Sequence, residues 1–459
     1  MIWSTAALFA LLLVLTLGLG VTLRATFRWA SPVALFCIWI FIFIFGDGIY
    51  TLIYQNFGPA EHYRFKVSDA SLAYGVSLWA ISLLFFMFGY YAIEKRKKSL
   101  PAIPKSRLQW GYSPLFLSLF FSLIISIFTI LYVLVQGYSL GYNLAETISL
   151  RNHWFQDGGG FLLIFIQVFK FGVLVAALAV FRSKDRAKNR ILIILILFAL
   201  ILDALTGSRS AIVYGFLLPL AMIYHVVKKP ISSKKLVAVG IVLFLLVGVV
   251  YRTAVRDQFF ERNEGEPINT ILWENLGRMP ELFWGGAEAT SLDGTIDLIE
   301  RMPEQLEFQH GKTHIAGVTA PIPRPFWPGK PLGGGNSVYT SSFYPEDYGE
   351  IRVEFSASFV GELYMNYGAI GVPVGSAVVG GASASLYQWG RRSDLNFLIA
   401  VVIISRMFSL WRGDLFNFIG QIVIQLLAIM LFLLIYSLIW LIMNRDGNFS
   451  LPIRKADKS

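Results

Sequence analysis

The sequence predicts an all-α polytopic membrane protein with about eleven transmembrane helices and one large extramembrane loop between spans eight and nine. Three observations predict it: an apolar excess, a scarcity of charge, and the placement of Lys and Arg. Hydrophobic residues make up 56% of the 459, and the 40 Gly bring the apolar share to about 65%, against roughly 45–50% for a soluble domain counted the same way. Charged residues are 15%, where a soluble chain carries about 25%. So few charges cannot cover the surface of a soluble protein of this length, so lipid is the solvent for the surplus. Cys37 is the single cysteine, which excludes an intrachain disulfide and a thiolate metal site.

Apolar runs near the ~20 residues that cross the hydrocarbon lie at about 2–23, 31–54, 70–93, 113–136, 161–181, 191–206, 210–227, 236–252, 358–388, 395–411 and 417–443. The sixth is short and ends at Gly207, as a broken or tilted helix would. The first has no basic residue ahead of it and is followed by Arg24 and Arg28, the pattern of an uncleaved span with its amino terminus outside. With that orientation the inner segments are 24–30, 94–112, 182–190, 228–235, 389–394 and the tail from 444, and roughly 65 positions hold 23 of the 39 basic residues. Basic residues favour the inner side, so every alternation agrees and the carboxyl terminus is inside. Most of the net charge of +10 is therefore orientation signal and does not point to nucleic acid. The chain divides into spans one to eight (1–252), a cap loop (253–357), spans nine to eleven (358–443) and an inner tail (444–459).

No inner loop exceeds about 20 residues and none carries a Walker or dinucleotide glycine motif, so nucleotide chemistry on the inner face is excluded as the main activity. The loop 253–357 is too long to be structureless and reads as a functional cap. Asp47, Asp203, Glu362 and Arg406 fall in the outer halves of their spans at 1.5 Å per residue, with Lys170 near mid-depth. Charges at such depth are costly and should face a protein-lined polar cavity or each other. The bland pairings are Asp203 with Arg209 and Glu362 with Arg406. Without ATP on the outer face, bond formation needs a substrate that arrives activated, and a lipid-linked sugar diphosphate meets that need. Its leaving group is an anion, to be stabilised by Arg and Lys.

Three stretches carry the specific chemistry. In Leu205-Thr206-Gly207-Ser208-Arg209-Ser210 one helix ends and another begins, placing Arg209 near a helix amino terminus that favours phosphate. In Ala320-Pro321-Ile322-Pro323-Arg324-Pro325-Phe326-Trp327-Pro328-Gly329-Lys330-Pro331 the prolines hold Arg324 on extended backbone, with Lys330 six residues on. In Ser358-Phe359-Val360-Gly361-Glu362-Leu363-Tyr364-Met365-Asn366-Tyr367-Gly368 a partly buried Glu362 is placed to accept a hydroxyl proton. His310 and His314 are spaced i, i+4, but Gly311 between them weakens a helix and no third ligand is evident, so a base at one of them is favoured over a metal. Gly333-Gly334-Gly335 reads as a flexible turn before a phosphate cradle. Residues 291–302 read as an amphipathic helix on the membrane or on the spans, with Asp293 and Asp297 on its polar face.

With these stretches in this order, about eleven spans and one large outer loop, the chain resembles the Wzy-type O-antigen and exopolysaccharide repeat-unit polymerases. The resemblance implies a membrane glycosyltransferase of the C-type architecture in the bacterial inner membrane, joining undecaprenyl-diphosphate-linked repeat units at the periplasmic face, with a chain-length regulator as a potential partner. Combined with the residues, it casts Arg209 and Arg324, helped by Lys330, Arg252 and Arg256, as holders of the donor diphosphate, and Glu362 or His314 as the proton acceptor. No metal or organic cofactor is expected. An O-antigen ligase shares donor and topology, and a flippase of lipid-linked sugars is the alternative from another class. The absence of an internal repeat and the outward gathering of charges count against the flippase.

Overall fold

A computed structural model describes residues 2–24, 31–57, 68–94, 111–141, 147, 162–183, 185–205, 209–228, 231–232, 268–277, 291–322, 326–331, 333–350 and 354–444. The helices, in chain order, are α1 (Ile2–Arg24), α2 (Pro32–Trp39), α3 (Gly46–Phe57), α4 (Asp69–Glu94), α5 (Tyr112–Ser139), α6 (Leu162–Arg182), α7 (Arg186–Leu205), α8 (Arg209–Ile212) and α9 (Leu218–Val227). They continue with α10 (Ile268–Gly277), α11 (Ser291–Arg301), α12 (Lys312–Thr319), α13 (Gly335–Phe343), α14 (Pro345–Glu350), α15 (Phe359–Gly390), α16 (Asp394–Arg412) and α17 (Leu415–Met443). Wide π-helical turns at Ile40–Phe45 and Val213–Leu217 join α2 to α3 and α8 to α9. No strand occurs among the described residues. Eight described helical stretches are long and apolar enough to cross a membrane: Pro32–Ile53, Asp69–Glu94, Tyr112–Ser139, Leu162–Arg182, Ser210–Val227, Phe359–Gly390, Asp394–Arg412 and Leu415–Met443. The apolar run at 236–252 lies outside the described residues.

The chain forms two compact units. The first comprises 1–99, 275–388 and 406–421. Lipid is as apolar as leucine, so helices in a bilayer gain little from burying leucine and pack instead through small residues and polar contacts. The crossing of α4 and α15 is built this way. A Cβ on Gly89 would strike the backbone of Ala377, one on Gly380 would strike the backbone of Phe86, and Ser82 and Ser376 share a 2.8 Å hydrogen bond between them. Beside this crossing, Phe36, Trp39, Phe86, Phe408 and Trp411 pack ring to ring. Backbone cannot yield as a side chain can, so Gly380→Val should cost upward of about 1–3 kcal/mol. The expected result is a lower melting temperature and yield in detergent, while Gly420→Ala, with nothing within 4 Å of its added carbon, leaves both unchanged.

Helix α11 is packed on α4, one of the two placements the sequence left open. Ile296 meets Gly75, where an added Cβ would lie 2.9 Å from it, and Trp79 Nε1 donates to Thr295 at 3.2 Å. Asp297, expected on a polar face, is buried. It pairs with Arg301 at 2.8 Å and accepts from Tyr339 and Tyr344 at 2.9 Å each. Burial, then the Asp297 charge, pushes the Tyr344 phenol up to about 12, so both partners stay protonated donors. Asp47 on α3 is fully buried with its charged neighbour Asp293 on α11.

The second unit comprises 100–274, 389–405 and 422–459, with α6 at its centre, buried throughout from Ile166 to Val180. Gly172 gives way to Phe432 and Leu119, and the Ser126 hydroxyl donates to the carbonyls of Phe165 and Ile166 at 3.0 Å. Lys170 holds Asp203 through both carboxylate oxygens at 2.9 and 3.2 Å. The sequence offered Arg209 for Asp203; the mid-depth lysine is a partner that spacing alone did not reveal, and it meets the requirement that an intramembrane charge be paired. Arg182 grips Asp394 bidentately at 2.6 and 2.7 Å.

Candidate active site

The site is built around a break in α15. At its start Ser358, with φ 66°, caps the helix: its hydroxyl accepts the Gly361 N–H at 3.1 Å and shares a 2.8 Å bond with Thr295. Ten residues on, Gly368 takes φ 64°, a value that only glycine adopts without strain. The break removes helical partners from the carbonyls before it, and a buried carbonyl must find another donor. Met365 and Asn366 accept the N–H groups of Gln309 and His310 at 2.9 and 3.1 Å. The Asn366 side chain completes the seam, accepting Gly311 N–H at 3.0 Å and donating to Thr313 Oγ1 and to the Glu362 carbonyl at 2.7 Å each. The chain turns through His310 (φ 47°) and Gly311 (φ 87°) and enters α12 directly over Glu362.

Glu362 is 1% exposed, and its hydrogen-bonding contacts are donors. Thr313 Oγ1 gives its proton to Oε1 at 2.9 Å, and Leu415 N–H donates to Oε2 at 2.8 Å. Gly335 N–H is a third donor, and a Cβ at 335 would lie 2.9–3.0 Å from the Glu362 side chain. Asp414 stands beside it, its Oδ2 accepting Asn336 N–H and its Oδ1 accepting Asn417 N–H, both at 2.8 Å. It thus caps α17 and holds the start of α13 at once. Glu354 accepts from Ser337 at 2.5 Å. Three carboxylates therefore gather at the amino terminus of α13, where free N–H groups and the positive dipole end offset their repulsion. Gly334 and Gly335, read from sequence as a flexible turn, are instead clamped between Asp414, Phe416 and Glu362. Burial, with Glu354 nearby, raises the Asp414 pKa above the ordinary carboxylate value against the opposing backbone hydrogen bonds. A raised carboxylate favours the fold below its ordinary pKa and loses that contribution as pH rises through the folded value.

His314, on α12, lies in front of Glu362. Its Nε2 is 3.9 Å from Glu362 Oε2, and its side chain is 21% exposed. Nδ1 is 3.2 Å from the Tyr367 hydroxyl, and the two rings stack at 5.4 Å and 29°. Burial lowers the His314 pKa below 6.5, so the imidazole is neutral near pH 7 and available as a base.

Of the residues singled out from sequence, Glu362 and His314 are brought together. Glu362 does not pair with Arg406, whose Nη1 donates to Gln421 at 3.1 Å; among the described residues no guanidinium meets this carboxylate. His310 precedes α12 in a left-handed turn, so it and His314 share no helix face. Among the described residues no group of three or more His, Cys, Asp or Glu is placed to hold a metal ion. Lys330, expected at the diphosphate, is buried and donates to the carbonyls of Ala320 and Ile322 at 3.0 Å each, clasping the exit of α12. Arg324, Arg252 and Arg256 lie outside the described residues, as does the side chain of Arg209, the first residue of α8. Thr313 and Asp414 escaped sequence reasoning, and Asn366 and Tyr367 entered it only as members of the stretch around Glu362, with no role. Asp414 left one signal, an Asp three residues before Asn417 at the head of an apolar run, which reads as a helix cap.

These features define a class: a polytopic α-helical membrane protein whose carboxylate–imidazole centre joins a long apolar helix, α15, to a short intervening one, α12. Residues 4–444 match the family model described as O-antigen polysaccharide polymerase Wzy. The chain belongs to that family, whose activity is the polymerisation of O-antigen polysaccharide. No curated protein and no solved structure matches it.

Proposed function

We propose that the protein joins oligosaccharide repeat units carried on undecaprenyl diphosphate, at the periplasmic face of the bacterial inner membrane, with His314 as the group that takes the acceptor proton. The observation that carries this is the relation of His314 to Glu362: a neutral, partly exposed imidazole 3.9 Å in front of a buried carboxylate. The sequence left the base open between the two, and exposure supports His314, because Glu362 has almost no surface to offer a substrate. The acceptor hydroxyl oxygen bonds to the anomeric carbon of the donor's first sugar as the bond from that carbon to the diphosphate oxygen breaks. The hydroxyl proton passes to His314 Nε2, where the Glu362 carboxylate 3.9 Å away stabilises the cation that forms, while Nδ1–H donates to the Tyr367 oxygen, which fixes the tautomer and the ring's orientation. The lipid diphosphate leaves with the electron pair.

Arg209 and Arg324, with Arg252 and Arg256, are the proposed holders of that diphosphate, and Lys330 serves them by fixing the backbone that leads to residue 324. Charge-assisted contacts to phosphate are about twice as strong as neutral ones. Arg324→Ala and Arg209→Ala are therefore each expected to lower long-chain product by about 10²-fold or more with unchanged protein in the membrane, read as a glycan ladder on a gel. Normal length and amount of polymer in either variant would remove that arginine from the site.

A further inference from the structure

The mechanism uses the hydroxyl of Tyr367 and leaves its ring without a role. Tyr367 is 49% exposed, although one face of its ring is covered by His314. Its hydroxyl lies over Gly311, where an added Cβ would sit 2.8 Å from it, so the left-handed glycine is what lets the phenol lie flat against the α12 entry. The ring is thus held on three sides: by its own helix beside the Gly368 break, by the imidazole stack and by the hydrogen bond to Nδ1. Past the Gly368 break, Ile370, Val374 and Val378 on the second part of α15 are exposed at helical spacing, an apolar stripe. His310 and Lys312, on either side of Gly311, are exposed and polar. Tyr367 touches both segments, lying against Gly311 on one side and Gly371 on the other, next to the base.

We propose that the outward face of Tyr367 is a stacking platform for a pyranose ring of the acceptor saccharide, and that it sets the acceptor hydroxyl against His314. A rigid aromatic face matches the C–H face of a pyranose, and the polar groups around it match the ring's hydroxyls. The apolar stripe beneath suits a saccharide that arrives on a lipid. This rests on the reading that His314 takes the acceptor proton, and it assigns Tyr367 to binding: stacking of this kind corresponds to about tenfold in affinity.

The test uses full-length protein in detergent with lipid-linked repeat units extracted from cells lacking the polymerase. Tyr367→Leu, which keeps an apolar side chain but removes the platform, is expected to raise KM about tenfold; the fall in kcat that follows loss of the hydroxyl at His314 Nδ1 is read separately in Tyr367→Phe, which keeps the ring and is expected to keep the wild-type KM. Tyr367→Trp, with a larger face, is expected to keep KM at or below that of the wild type, and serves as the folded control. Soluble oligosaccharide cut from the cells' own polymer should inhibit the wild type and the Trp variant competitively and the Leu variant about tenfold less. A Tyr367→Leu protein with wild-type KM and inhibition, or a Tyr367→Trp protein as weakened as the Leu variant, would overturn the platform. If His314→Ala is inactive in that experiment, the proton assignment survives such a failure; if His314→Ala is fully active, the reading of the whole site falls with it.

Discussion

Replacing His314 by alanine will lower the rate of polymer formation at saturating lipid-linked repeat unit by about 10²–10⁴-fold, the range a positioned general base contributes. The protein itself should persist, because the side chain is partly exposed and the seam that orders α12 runs through neighbours: Gly311 N–H and Thr313 Oγ1 to Asn366, and Thr313 to Glu362. His314→Gln separates chemistry from architecture. Glutamine can still bond the Tyr367 hydroxyl but cannot take a proton, so it should be as inactive as alanine, and a rescue by glutamine would make the histidine structural. The pH profile follows from the same group. Its folded pKa lies below the ordinary 6.5 because of burial, so activity falls as pH drops through that lowered value and is flat above it. Stability has the same sign: a depressed pKa contributes stability that is present above the unfolded value and lost as pH falls through the folded one.

Glu362→Gln is expected to have the second-largest effect, a fall of about 10²-fold in rate together with a shift of the acid limb to lower pH, because the imidazolium loses the carboxylate behind it. The substitution keeps the shape but turns an amide NH₂ either onto Leu415 N–H or onto the Thr313 hydroxyl, which already accepts from Asn366 and gives its proton to Oε1, with Gly335 N–H a further donor. An unsatisfied buried donor costs about 1–3 kcal/mol, and with glycine backbone already against the side chain there is no room to turn away. A lower melting temperature should therefore accompany the lost rate. The two effects are separable, since only the electrostatic one moves the pH profile. A variant that is slower with its acid limb unmoved would confine Glu362 to holding the fold.

The contrast between what was legible in the sequence and what was not follows from the range of each interaction. Among the described residues, eight of the apolar runs fall on helices long enough to cross a membrane, with ends nearly in place, as at 70–93 against Asp69–Glu94 and 395–411 against Asp394–Arg412, because lipid sets a local rule of length and composition. Glu362 and His314 could be singled out as candidates too, since a charge in an apolar helix and a histidine in a loop each stand out alone. Their meeting was not, because it depends on the helix break at Gly368, and a glycine inside an apolar run carries no label for a left-handed turn. Asp414 and Asn336 lie 78 positions apart, and Asp297 finds Tyr339 and Tyr344 more than 40 positions on. Helical periodicity gave Asp297 a polar face to look out from, while the fold supplied two phenols and an arginine that let it be buried.

The most direct measurement incubates purified protein with lipid-linked repeat units alone and follows both glycan length and released lipid diphosphate. A ladder that lengthens with time, with one diphosphate-bearing lipid freed for each bond formed and an acid limb that moves in Glu362→Gln, is the expected result. Bond formation without release of lipid diphosphate, or an unaltered ladder from His314→Ala, would contradict the assignment of donor and base together.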